Sequence, residues 1–80
     1  MTTLQRQFGA RIRELRDLAG MSREEYAGRV RLSSRRVAAL ELGKGWPKPA
    51  TLERLAKSFG LEVRDLFDFS STRILPRKVL

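Results

Sequence analysis

Apolar residues recur at helical spacing along most of this chain. Leu4, Phe8, Ile12, Leu15 and Ala19 form one stripe, with arginines and glutamates between them. That period predicts an amphipathic helix buried on one side. Thr2 and Gln5 stand at capping-box spacing for its start, and Gly20 marks its end. A second helix starts at Ser22, whose partner Glu25 completes a capping box, with Met21 and Tyr26 spaced as a hydrophobic staple. It is short, because Leu32 and Ser33 repeat the staple-and-cap signal, with Val37 as the apolar contact.

The third helix is therefore expected from about Ser34 to Leu42, stopping at Gly43. Gly43-Lys-Gly-Trp-Pro-Lys-Pro is too rich in glycine and proline for regular structure and reads as a loop. Pro49 suits the first turn of a fourth helix, whose buried face is Leu52, Leu55, Ala56 and Phe59. Gly60 ends it as a left-handed cap, followed by the apolar Leu61. Val63, Leu66 and Phe67 predict a fifth, short helix. No strand pattern appears in the first 67 residues. The fold class expected is all-α, a compact five-helix domain over residues 1–67, followed by a tail over 68–80.

Composition narrows the chemistry. With no cysteine and no histidine among 80 residues, thiolate and imidazole chemistry are excluded, including the commonest metal ligands and the commonest general base. Neither a phosphate loop nor a carboxylate or lysine cluster suggests an enzyme, and Tyr26 reads as core. No cofactor, no metal and no catalytic residue is expected. No apolar run approaches the roughly 20 residues that span a bilayer, and the first six residues lack the apolar core of a secretory signal. The expectation is a soluble cytoplasmic protein, nucleoid-associated through DNA, with no membrane partner. A net charge of +8, from 17 Lys and Arg against 9 Asp and Glu, favours a polyanionic partner, although a solvated basic surface accounts for it equally well.

The order of elements resembles the lambda-repressor-like, Cro/cI-type (XRE) helix-turn-helix family. The residues that carry the resemblance are Ile12-Arg-Glu-Leu-Arg16, Met21-Ser-Arg-Glu-Glu-Tyr-Ala27, Leu32-Ser-Ser-Arg-Arg-Val37, Leu40-Glu-Leu-Gly-Lys44, Pro47, Leu52-Glu-Arg-Leu-Ala-Lys-Ser-Phe-Gly-Leu61 and Asp65-Leu-Phe67. The resemblance implies a transcription regulator that reads a palindromic operator in double-stranded DNA as a homodimer. Its recognition helix would be the one at about 34–42. The amphipathicity of that helix agrees: Ser34, Arg35 and Arg36 come early, while Val37 and Leu40 face back.

By the family pattern Arg35 stands at a base-reading position, where arginine can donate two bonds to guanine. Ser34 and Ala39 occupy neighbouring reading positions, and alanine there can touch only a thymine methyl. Arg36 points elsewhere, with base and phosphate contacts both open. The resemblance gives phosphate-facing roles to Arg23, where the family often has glutamine, to Ser33 beside its capping role, and to the loop residues Lys44, Trp46 and Lys48. Trp46 has two readings, stacking on the sugar-phosphate edge or covering the core. Arg16 and Glu41 match a partly buried ion pair between the first and third helices.

Three positions depart from the family pattern. Arg31 stands where the turn usually has glycine, Gly28 lies inside the second helix, and Lys48 is a poor cap. Arg73-Ile-Leu-Pro-Arg-Lys-Val-Leu80 in the tail alternates basic and apolar groups. It reads as a disordered basic arm, as a segment that packs back or pairs with another copy, or as a docking segment for a protein partner. The alternative function is an antitoxin-type module that binds a toxin partner and its own operator.

Overall fold

The computed structural model describes residues 2–69. The three readings of the basic tail fall on residues outside this range. Four α-helices and one 3-10 helix follow in order: α1 Thr3–Leu18, α2 Arg23–Val30, α3 Ser34–Glu41, α4 Pro49–Ser58 and the 3-10 helix Val63–Phe67. The fifth element lies where expected, but it is not an α-helix. Its bonding is of the i→i+3 kind, as from Asp65 N–H to the Glu62 carbonyl at 2.9 Å, which is usual in helical pieces this short. The third helix also ends one residue early, with Leu42 as its C-cap.

The starts of the first three helices follow their cap residues. Thr2 and Gln5, and likewise Ser22 and Glu25, exchange side-chain and backbone hydrogen bonds as reciprocal capping boxes. Ser33 Oγ accepts the Arg36 N–H at 3.0 Å. Lys48 supplies no side-chain cap, and α4 begins instead on Pro49. Gly60 takes a positive φ of 70°, after which the Leu61 N–H returns to the Ala56 carbonyl.

α3 packs against both α1 and α2, α2 also packs against α4, and the 3-10 helix closes the bundle over α1 and α4. Phe8, Ile12, Leu15, Tyr26, Val30, Val37, Leu40, Leu55 and Leu66 are almost fully excluded from solvent. Met21 and Leu32, the two staple residues, pack against this core. The stripe of α1 is shorter than its period suggests, because Leu4 and Ala19 are exposed at the two ends. Phe69, assigned to the tail on sequence, packs against the core and meets Phe67 edge-on at a centroid distance of 6.3 Å. The packed unit therefore extends two residues past the expected boundary.

Gly9 fixes the approach of α1 to α3. A β-carbon there would collide with the backbone of Leu40 and Glu41. The short α3 is thus seated directly on the first helix.

Candidate nucleic-acid interface

α2 and α3 are joined by Arg31, Leu32 and Ser33. Arg31 is the C-cap of α2 and takes the left-handed conformation, with φ 62° and ψ 43°. The turn has kept the geometry usual for glycine and holds an arginine in it. The carbonyl at the end of α2 is satisfied from outside: Arg54 of α4 donates Nε to the Val30 oxygen at 3.0 Å.

The first turn of α3 divides its polar residues. Ser33 spends its hydroxyl on capping. Ser34 is half-buried, and Arg35 is exposed with no side-chain hydrogen bond or ion pair among the described residues. Arg36 turns back: its Nη2 donates to the Trp46 carbonyl at 3.1 Å. Its Nη1 lies where a β-carbon on Gly45 would crowd it. Ala38 and Ala39 are half-buried.

The loop after α3 is held on two sides. Its start caps the helix, with the Lys44 N–H on the Ala39 carbonyl at 2.9 Å. Trp46 sets its ring beside Phe8 at 5.6 Å and Phe67 at 6.3 Å, yet stays 41% exposed. The core-covering role is therefore present, and an open edge of the indole remains. Lys44 and Lys48 are exposed.

Beneath α3 lies a charged cluster. Arg16 Nε donates to Glu41 Oε2 at 2.5 Å, and Arg16 Nη2 donates to Oε1 at 3.1 Å. Arg16 Nη1 is occupied by the Met21 carbonyl at 2.8 Å. The bond to Glu41, working against burial, raises the Arg16 pKa above its ordinary value. Arg23, expected to face phosphate, has a further partner here: its Nε donates to Glu41 Oε1 at 3.0 Å.

Sequence reasoning missed that contact, the Arg36 brace and the Arg54 cap. It also missed Arg11, a buried arginine that donates Nε and Nη2 to the Asp65 carbonyl. No spacing rule reveals an arginine aimed at a backbone oxygen 54 residues away. Arg11, Arg16 and Arg54 are thereby structural, so only part of the +8 charge is available to a partner.

A helix-turn-helix domain model matches residues 7–68, most of the chain. This chain belongs to the helix-turn-helix domain family. The domain is 34% identical over 67 residues to the cryptic phage CTXphi transcriptional repressor RstR of Vibrio cholerae, covering 84% of this chain and 60% of that one. It is 36% identical over 58 residues to the HTH-type transcriptional regulator DdrOP3 of Deinococcus deserti, covering 72% of this chain and 45% of the relative. The chain thus spans about half the length of these relatives. Two crystal structures of the clp gene regulator ClgR from Corynebacterium glutamicum superpose with a TM-score of 0.78 at 25% identity. Each superposition covers 85% of this chain, and 72% or 87% of the other. Among the described residues no helix is long and apolar enough to cross a membrane.

Proposed function

We propose that this helix-turn-helix domain is a sequence-specific transcription regulator that inserts the start of α3 into the major groove of duplex DNA. The observation that carries the reading is Arg35 in the first turn of α3, exposed and without a side-chain bond among the described residues, beside Arg36, whose guanidinium is engaged by the loop. Arg35 is then the base reader, able to donate two bonds to guanine O6 and N7. Ser34 assists it, and Ala39 offers at most a methyl contact. Arg23, Lys44, Lys48 and the open edge of Trp46 follow the phosphate backbone and set the register. Ser33 serves chiefly as the cap.

A reader this short calls for a second copy. Two domains on a palindromic operator would present their recognition helices about 34 Å apart, one turn of DNA. The protein then acts in the cytoplasm on the nucleoid, with no catalytic step. Its relatives named as transcriptional repressor or regulator support this reading.

Selection of bound sequences from random duplex DNA, followed by affinity measurement across salt, tests it. Enrichment of a symmetric sequence is expected. Recovery of no preferred sequence would reduce the function to non-specific binding.

A further inference from the structure

We infer that the buried Glu41 positions Arg23 for DNA phosphate, holding one nitrogen of its guanidinium and leaving the others to face the duplex. This inference rests on the DNA-binding reading above.

Arg16 alone is sufficient to balance Glu41. It meets both carboxylate oxygens, and its remaining nitrogen is taken by the Met21 carbonyl. Its side chain is 8% exposed and that of Glu41 only 2%. Arg23 is therefore a second guanidinium on a carboxylate that already has its counterion. The three side chains carry one net positive charge, and its outlet is Arg23, whose side chain is 42% exposed.

Arg23 engages Glu41 through Nε. Its two terminal nitrogens make no hydrogen bond among the described residues. Terminal guanidinium N–H groups are suited to bridging phosphate oxygens. An arginine already fixed at Nε surrenders less rotamer freedom when that phosphate arrives. The bond also runs from the first residue of α2 to the last residue of α3. A phosphate held by Arg23 is thereby referred to the helix that reads the bases. An acid below the DNA-facing unit would ordinarily oppose binding; here it is neutralised by Arg16 and serves as the anchor.

The plain alternative is that Arg23 merely braces the two helices. Arg23→Lys separates the readings, because one ammonium keeps the charge but cannot grip Glu41 and present a fork at once. Affinity for the selected duplex is measured across salt, at a temperature where circular dichroism finds every variant folded. Arg23→Ala should lower affinity about tenfold or more and reduce the salt slope by about 0.9, the equivalent of one phosphate. Arg23→Lys should restore the slope but not the affinity. Glu41→Gln, if folded, should likewise weaken binding with little change of slope.

Full rescue of affinity by lysine would overturn the positioning role, since a point charge would then suffice. An unchanged slope and affinity in Arg23→Ala would also overturn it, leaving a structural brace. Failure of the wild-type domain to bind duplex DNA would overturn the underlying reading as well.

Discussion

Arg36 Nη2 donates to the carbonyl of Trp46 at 3.1 Å, while its neighbour Arg35 stands exposed with no side-chain hydrogen bond or ion pair among the described residues. Adjacent residues on a helix lie about 100° apart, so one arginine is turned to the loop and the other away from it. The loop is clamped between this guanidinium and the indole of its own Trp46, which rests beside Phe8 and Phe67. The two adjacent arginines thus have different surroundings, and the proposed reading gives them different tasks.

Alanine substitutions should separate those tasks. Arg35→Ala is expected to cost about 1–3 kcal/mol for the selected sequence and much less for unrelated duplexes, flattening the preference. Arg36→Ala should weaken binding to all sequences alike and change the fluorescence of Trp46, the one tryptophan of the chain. Loss of preference at a single base position in Arg36→Ala would instead make Arg36 a reader.

Glu41→Ala should act on folding before it acts on recognition. It strips the buried Arg16 of its bidentate partner and leaves two guanidinium groups facing one another. Removing one member of a buried pair costs roughly 3–5 kcal/mol, a large fraction of the stability of so small a domain. The thermal midpoint should fall by many degrees. A midpoint equal to wild type would refute the structural assignment of the pair.

The helix starts were legible in the sequence because caps are local. Thr2, Ser22 and Ser33 each act within three residues of themselves. The exposure of Arg35 in the first turn of α3 was legible in the polar start and apolar back of that helix. The partners of Arg11, Arg23, Arg36 and Arg54 were not, because each depends on how separate elements meet. The length of the α1 stripe was overestimated for a related reason: helical period says which face is apolar, but not how far the neighbours extend along it. Leu4 keeps the period and is 46% exposed.

The turn offers a stability test. Arg31 is the only described residue other than glycine with positive φ, a conformation that costs a non-glycine residue roughly 1–2 kcal/mol. Arg31 is exposed, so little packing is lost with its side chain. Arg31→Gly should raise the thermal midpoint, less the entropy that glycine adds to the unfolded chain. A lower midpoint would mean that the arginine side chain offsets its own backbone strain.

Gly9 and Gly28 should respond oppositely to alanine. At Gly9 the added methyl meets the Leu40 and Glu41 backbone, which cannot yield as a side chain can. Overpacking of this kind costs about 1–3 kcal/mol, and it also displaces α3 from its seat. Gly9→Ala should therefore lower both midpoint and DNA affinity. At Gly28 nothing lies within 4 Å, and alanine in a helix interior gains about 1 kcal/mol over glycine. Gly28→Ala should raise the midpoint and leave affinity unchanged. Calorimetry with a binding titration on the two variants checks both signs.

Tyr26 is wholly buried, stacks on Phe59 at 5.0 Å and bonds Ser58 Oγ at 3.0 Å. Burial pushes its pKa up to about 12; the Ser58 bond opposes that and the nearby Glu41 charge adds to it. An unfolded tyrosine titrates near 10. Between those values the folded state keeps a proton that the unfolded state has lost, so stability falls as pH rises. The contribution is complete below about pH 10 and is lost as pH rises toward 12. Since Tyr26 is the sole tyrosine, phenolate absorbance follows it directly. The native protein should develop that absorbance well above the pH at which the denatured chain does, and its appearance should coincide with loss of helical signal. Native titration near pH 10 with the helices intact would contradict the buried placement of this ring.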